Sequence, residues 1–370
     1  MSEIEERIFE IMDEIGPQKV IHLHEPETSM KAIIVVDNAA AGPSIGGVRM
    51  VQDVTTSEII RLARAMTYKN AMAGLPHGGG KSGIIADSKS ENKNQIIRTF
   101  ARAIRNIEDY IPGPDIGTDE SSMAIIYDEI SRAVGLPREL GGIPLDEMGA
   151  TAHGIVECVD VARGYINLDL NGASLTVEGF GNVGRPTAEL LAEKGVKLVA
   201  ASDSKGTIHD PDGLKIEELI RVKRVTGSVT NYKNGKVLKA EDLPGIETDI
   251  FVPAARPDTI SERNVSMLKA KLVIEGANIP VTEKAEKLLH DRGVLVVPDF
   301  VANAGGVIAA SVEYHGGIET DAINRISGTI SRNTKEILDE VYDKRTYPRN
   351  AAVRIAKERV VRAMKYRSAR

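Results

Sequence analysis

Two lysines and an aspartate stand among glycines in the first half of the chain. Lys69 closes Met66-Thr67-Tyr68-Lys69. Lys81 lies twelve positions on (81 − 69 = 12), inside Gly78-Gly79-Gly80-Lys81-Ser82-Gly83, and Asp115 lies in Pro112-Gly113-Pro114-Asp115-Ile116-Gly117-Thr118. One ammonium can ion-pair with a substrate carboxylate. The other, desolvated and near that first charge, would have a lowered proton affinity and could work in proton transfer. Pro and Gly around Asp115 would fix a rigid turn. The bland alternatives are solvated surface lysines and a structural Asx-turn. The lysine cluster, read as a mobile glycine loop, is not a phosphate-binding P-loop. G-x-x-x-x-G-K-[ST] needs Gly where Leu75 stands, and a helix rather than a strand precedes it. Two further glycine clusters are Gly42-Pro43-Ser44-Ile45-Gly46-Gly47-Val48-Arg49 and Asn303-Ala304-Gly305-Gly306.

The second half carries Gly179-Phe180-Gly181-Asn182-Val183-Gly184, a G-x-G-x-x-G run between an expected strand and helix. Asp203 ends the next strand, 203 − 184 = 19 positions after the last glycine. That context is a dinucleotide-binding fingerprint: glycines admit close approach of backbone N–H groups to a pyrophosphate, the helix N-terminus favours its charge, and the carboxylate meets ribose hydroxyls. Asp203 leans toward NAD over NADP. Ser202 and Lys205 beside it could instead receive a 2′-phosphate.

The elements that must hold these residues follow from periodicity. Helices are expected at 4–15, 57–73, 95–110 and 121–134, with a strand at 31–37. From residue 150 the rhythm becomes helix 151–165, strand 174–178, helix 183–194, strand 197–201, then strands at 249–252, 272–275 and 294–297 with a helix at 282–292. Such alternation predicts an α/β protein with a parallel sheet covered on both faces. A basic helix at 350–367 carries Val353, Ala356, Val360 and Met364 as its apolar stripe. It reads as a packed helix with a solvated cationic face rather than a nucleic-acid arm.

Composition bounds the rest. The 370 residues suggest two domains. A net charge of −6 argues against a chain-wide phosphate-binding surface. Cys158 is the sole cysteine, so there is no intrachain disulfide and no Cys-x-x-Cys zinc site. No signal peptide or membrane span is evident, and scattered histidines suggest no metal site. A cytoplasmic location is the expectation.

Taken together, the five motifs resemble, in order, those of the glutamate/leucine/phenylalanine/valine dehydrogenase family, from about residue 30 to the C-terminus. The resemblance implies NAD(P)-dependent oxidative deamination of an L-amino acid to a 2-oxo acid and ammonia. It implies that Lys69 grips the substrate α-carboxylate, that Lys81 and Asp115 are catalytic, and that Gly46, Gly47 and Asn303 line the substrate side. By the same resemblance, Thr151, Gly179, Gly181, Asn182, Val183, Gly184, Asp203, Ala254 and Asn278 contact the cofactor. Lys81 would activate a water and stabilise the developing oxygen, and Asp115 would shuttle protons at nitrogen. A substrate and assembly domain is expected over residues 1–150, with helices at 336–370 packing back on it. A Rossmann domain is expected over 151–335, with a cleft between the two. A homo-oligomer, with a hexamer favoured, is also implied.

Glutamate-specific members hold the side-chain carboxylate with a lysine and a serine at positions that here are Ile45 and Ala310. A γ-carboxylate buried without cation or donor is costly, so an apolar substrate is favoured. Pro114–Thr118, Leu75-Pro76 and the tail 356–360 look more like the glutamate branch, and Ser311 adjoins Ala310, so glutamate is the alternative. A non-catalytic regulatory paralogue is a distant one, disfavoured by the presence of Lys69, Lys81 and Asp115.

Overall fold

A computed structural model describes residues 9–145 and 147–367. Of the helix expected at 4–15, residues 4–8 lie outside this range; of the remainder, only 9 and 10 are helical. The chain divides into two compact units. One holds the residues up to Pro144 with Val307–Ala322 and those from Val353; the other holds Leu145–Gly306 and Ile323–Ala352.

The first unit is built on five strands: β1 (Lys19–Glu25), β2 (Met30–Asn38), β3 (Ser44–Val51), β4 (Gly78–Ile85) and β5 (Tyr110–Pro114). Their order is β1-β2-β4-β3-β5. β3 runs parallel to β4 and β5, whereas β2 is antiparallel to β1 and β4. Side chains alternate between the two faces. Ile33 and Val35 pack with Ile59, Ile60 and Ala63 of α1 (Thr56–Met72) on one face. Ile34 and Val36 pack with Ile97 and Phe100 of α2 (Lys93–Ala103) and Met123 and Ile126 of α3 (Glu120–Ile130) on the other. Thr55 caps α1 by accepting from the N–H of Glu58, and an Asp119–Ser122 capping box opens α3.

Three sequence expectations are corrected here. The 78–83 glycine run is not a mobile loop but the central strand β4. A Cβ at Gly78 would lie 1.7 Å from the Asn38 carbonyl oxygen, and one at Gly79 would lie 2.0 Å from the Thr67 nitrogen on α1. These glycines buy close approach rather than looseness. Pro112 and Pro114 belong to β5, where the missing N–H groups are tolerated because β5 is an edge strand; the turn begins only at Asp115. Finally, α2 ends at Ala103 instead of running to Tyr110, because turns through Asn106 and Asp109 redirect the chain into β5.

The second unit carries β6 (Ser174–Glu178), β7 (Lys197–Asp203), β8 (Gly206–His209), β9 (Lys236–Leu238), β10 (Ile250–Pro253), β11 (Leu272–Ile274) and β12 (Leu295–Val297). The sheet order is β12-β11-β10-β6-β7-β8-β9. β12 through β7 are parallel, as the alternation predicts. β8 and β9 add an antiparallel edge that periodicity did not reveal. The helices of this unit include α4 (Ala150–Tyr165), α5 (Gly184–Ala192), α6 (Ile216–Thr226), α7 (Glu283–Asp291) and α8 (Asp299–Ala302). From β6 the chain passes to β7 on one side and later to β10 on the other. The carboxyl ends of β6 and β10 therefore flank a topological switch point, where doubly wound sheets bind ligands. The chain ends in α9 (Gly305–Tyr314), α10 (Glu319–Lys344) and α11 (Pro348–Arg367). Among the described residues no helix is long and apolar enough to cross a membrane.

Candidate active site

In the first unit, strand register gathers the chemistry. Ile45 pairs with Gly79 and Ile111, Gly47 with Gly113, and Arg49 with Gly83. Alternation then places Ile45, Gly47 and Arg49 of β3, Gly79, Lys81 and Gly83 of β4, and Ile111 and Gly113 of β5 on one face. Asp115, just past β5, continues that row. This is the face covered by α1, whose last turn carries the half-buried Lys69.

Lys81 and Asp115 meet there. Lys81 Nζ lies 2.9 Å from Asp115 Oδ2, with the lysine side chain 9% exposed and the aspartate 18%. Arg49 Nε donates to the same oxygen at 3.0 Å, and Arg49 Nη1 donates to Glu58 of α1. Burial by itself would raise the proton affinity of Asp115; the charges of Lys81 and Arg49 outweigh it and hold the carboxyl below the usual carboxylate range. The glycines make room for this cluster. A Cβ at Gly47 would lie 2.7 Å from Asp115 Cβ and 3.0 Å from Lys81 Nζ, and one at Gly46 would strike the Gly80 carbonyl at 1.7 Å. On the opposite face, Tyr110 Oη donates to the Gly46 carbonyl at 2.8 Å and lies 2.9 Å from Ser82 Oγ, supporting the same strands from beneath.

Two residues further back along β3 and four along β5, the face turns apolar. Ile45, Ile111, Val134 and Ala310 form a buried cluster, with Ala310 supplied by α9. One turn after Ala310, Glu313 accepts backbone N–H groups from Leu136 at 3.1 Å and Ile143 at 2.8 Å. Its carboxylate thus pins the segment that follows Val134. Burial pushes the Glu313 carboxyl up, against the pull of those donors.

In the second unit the glycine turn has the geometry of a dinucleotide cradle. Gly179, directly after β6, has φ +86, a left-handed value suited to glycine. A Cβ on Gly181 would meet nothing within 4 Å, whereas one on Gly184 would lie 2.2 Å from the Gly179 carbonyl oxygen. The middle glycine faces open space and the last permits close packing of helix on strand. No side chain caps α5, so its N-terminus can receive an anion. The residues present therefore fit a dinucleotide. Asp203 ends β7 as expected, but its oxygens are engaged. Oδ1 accepts from Lys205 N at 2.9 Å and Ser228 Oγ at 3.1 Å, and Oδ2 accepts from Val229 N at 2.7 Å. Ser202 is not available to a phosphate, because it is buried and its Oγ accepts from Gly179 N at 3.3 Å. Lys223 of α6 does reach the turn, with Nζ donating to the Phe180 carbonyl. Burial lowers the proton affinity of that ammonium, opposed by the charge of Asp203.

The remaining expected residues lie in the same unit. Val183 is the N-cap of α5, beside Asn182. Thr151 is in the first turn of α4, and Ala254 follows β10 with its N–H donating to Glu178 O at 2.8 Å. Asn303 Nδ2 donates to the Ala277 carbonyl at 3.0 Å and to Asn278 Oδ1 at 3.1 Å, joining two residues read as separate contacts. Asn303 Oδ1 is buried with no donor among the described residues. Beneath these loops Arg349 binds Glu275 at 3.0 Å, Asp299 at 2.9 Å and Glu286 at 2.6 Å. Burial and the neighbouring Glu286 push the Glu275 carboxyl well up, against the pull of the Arg349 charge. Among the described residues no three His, Cys, Asp or Glu side chains converge as a metal site.

Sequence reasoning missed the parts played by Arg49, Glu58, Glu313 and Lys223. Strand alternation from Ile45 would have found Arg49, had residues 44–51 been read as a strand.

Comparisons with known proteins accord with this geometry. Residues 17–132 match the model of the Glu/Leu/Phe/Val dehydrogenase dimerisation domain, and residues 141–368 match that of Glutamate/Leucine/Phenylalanine/Valine dehydrogenase. The chain is 40% identical over 356 residues to a glutamate dehydrogenase of Aeropyrum pernix, covering 89% of this chain and 85% of that protein. It is 36% identical over 360 residues to an NADP-specific glutamate dehydrogenase of Saccharolobus shibatae, covering 89% and 83%. Among solved structures, a hetero-hexameric glutamate dehydrogenase from Thermus thermophilus in a leucine-bound form superposes with TM-score 0.85 at 27% identity, covering 98% and 94%. An L-tryptophan dehydrogenase from Nostoc punctiforme superposes with TM-score 0.77 at 26% identity, covering 96% and 99%. The chain thus belongs to the glutamate/leucine/phenylalanine/valine dehydrogenase family and is an amino-acid dehydrogenase.

Proposed function

We propose that this dehydrogenase acts on an L-amino acid with an apolar side chain, with Lys69, Lys81 and Asp115 as its working groups. The observation that carries the reading is the apolar cluster of Ile45, Ile111, Val134 and Ala310, on the sheet face that bears Lys81 and Asp115. Lys69 ion-pairs the α-carboxylate. The nicotinamide, when bound, supplies the acceptor for hydride from Cα. Lys81 then steadies the oxygen of an adding water, and Asp115 takes and returns protons at nitrogen, so that ammonia and a 2-oxo acid depart. Gly47 keeps this space free of a side chain, Gly46 lets β3 and β4 approach closely beside it, and Asn303 offers Oδ1 as a fixed acceptor.

For the dinucleotide, the turn 179–184 takes the pyrophosphate, with Thr151, Asn182, Val183, Ala254 and Asn278 around it. Asp203 favours NAD, and Lys223 narrows that preference by supplying a cation close to the turn. The assembly is proposed to be a homo-hexamer acting in the cytoplasm.

The test is the rate of oxidative deamination of leucine, valine, phenylalanine and glutamate with each nicotinamide in turn. Leucine or valine should lead. Fast glutamate turnover with little on leucine or valine refutes the apolar reading. Lys81→Ala should cut kcat by at least about 100-fold while leaving dinucleotide binding intact; unchanged turnover refutes the assignment of Lys81.

A further inference from the structure

Arg49 sits in the reactive cluster with no part in the proposed chemistry. It stands two residues beyond Gly47 on β3 and faces the same way as Lys81. Its Nε and Lys81 Nζ converge on one atom, Asp115 Oδ2, at 3.0 and 2.9 Å. Its Nη1 donates to Glu58 of α1. The Arg49 side chain is 16% exposed and Glu58 28%, so this is not a loose surface pair. One guanidinium is therefore shared between a carboxylate that must gain and lose a proton and a carboxylate that the reaction leaves alone.

That sharing has a consequence for proton transfer. When Asp115 takes a proton from nitrogen, it loses most of its attraction for the guanidinium. A half-buried cation left without an anion is costly. Glu58 removes that cost by keeping Arg49 compensated in both protonation states of Asp115. While Asp115 is charged, the two-sided grip also fixes the direction of its carboxylate. The groups facing Asp115 are Lys81 from β4, Arg49 from β3 and, through Arg49, Glu58 from α1, while the Tyr110 phenol of β5 acts on it from the opposite face of the sheet. Thr118 Oγ1 accepts the Asp115 N–H at 3.0 Å and so anchors the backbone. Burial raises the proton affinity of Tyr110, which keeps it neutral.

We propose that Arg49 is a positioning residue for proton transfer, holding Asp115 through Oδ2 while Glu58 balances its charge whenever Asp115 is protonated. The proposal rests on the reading of Asp115 as the group that moves protons at nitrogen. Without Arg49, Asp115 binds its proton more tightly and is less well aimed. Without Glu58, Arg49 pulls on Asp115 alone and opposes its protonation.

The experiment uses the purified full-length enzyme with whichever amino acid it turns over fastest, and compares Arg49→Gln, Arg49→Lys, Glu58→Gln and the Arg49→Gln/Glu58→Gln double variant. Thermal melting confirms that each is folded. Arg49→Gln should lower kcat by roughly 10- to 100-fold with KM for the amino acid changed less than about threefold. It should also move the acid limb of kcat/KM upward in pH. Arg49→Lys should recover most of the loss. Glu58→Gln should lower kcat by about 3- to 10-fold, and the double variant should be no slower than Arg49→Gln, because Glu58 acts only through Arg49. If Glu58→Gln costs the same factor in both backgrounds, or if folded Arg49→Gln keeps its kcat, the proposal is overturned. Asp115→Asn separates the two levels. Wild-type turnover in that variant overturns the reading of Asp115 and this proposal with it. An inactive Asp115→Asn beside an undiminished Arg49→Gln overturns this proposal alone.

Discussion

Replacing Ile45 with lysine and Ala310 with serine tests substrate choice most directly. In the wild type, Ile45, Ile111, Val134 and Ala310 are 3%, 0%, 1% and 5% exposed. Seating the end of a leucine side chain among them is worth about 1.5–3 kcal/mol. Seating a γ-carboxylate there, with no donor to meet it, costs at least about 2 kcal/mol after relaxation. The gap of roughly 4 kcal/mol corresponds to about 10³ in kcat/KM for leucine over glutamate. In the double variant a new ammonium and hydroxyl would meet the carboxylate, while leucine would have to bury the ammonium unpaired. The ratio of kcat/KM should therefore swing toward glutamate by at least about 100-fold, with Tm lowered in the absence of substrate. Steady-state kinetics on both amino acids, with the same nicotinamide at saturation, read this out. A wild type that prefers glutamate, or a double variant with an unchanged ratio, would show that these four residues do not receive the side chain.

Three further outcomes follow from the geometry. Lys223→Ala should weaken NADP more than NAD, by about tenfold in the ratio of dissociation constants measured by fluorescence titration, since it removes a cation beside the glycine turn. Arg349→Met should destabilise the protein by about 3–5 kcal/mol in urea unfolding, because Glu286 and Asp299 lose their shared cation; adding Glu286→Gln should recover part of that. His77 is buried, its Nδ1 lies 3.1 Å from the Pro43 carbonyl, and burial lowers its pKa to about 4. The unfolded histidine gains a proton first as pH falls, so stability should decline between about pH 6.5 and 4; His77→Gln should flatten that decline in urea melts at pH 7 and 5.

The second unit was the more legible half. Its parallel strands are short apolar runs broken by helices, and such runs face covered layers on both sides, so apolar sequence and strand coincide. The fingerprint at 179–184 was readable because Gly179 and Gly184 do geometric work that a Cβ would prevent, while Gly181 faces open space. What escaped were interactions set by distant chain. Nothing local to Asp203 shows that Val229 and Ser228 arrive to occupy its oxygens. Nothing local to Glu313 shows that its partners are the N–H groups of Leu136 and Ile143.

The first unit shows why glycine misleads. Three successive glycines look like freedom, yet at 78–80 each sits where a neighbour's backbone or side chain leaves no room for a Cβ. Read as a loop, this stretch has no faces, and Lys81 is merely near other charged residues. Read as a strand, it acquires a strict two-residue period, and Lys81 must share a face with Gly79 and Gly83. The same period run along β3 turns Ile45, Gly47 and Arg49 into an ordered row of apolar side chain, glycine and cation. The residues proposed to select the substrate and those proposed to move its protons are then separated by one or two steps of a rigid sheet. A substitution at Ile45 should consequently alter which amino acid is accepted without disturbing the Asp115–Arg49–Glu58 contacts. Selectivity and proton transfer should vary independently in this chain.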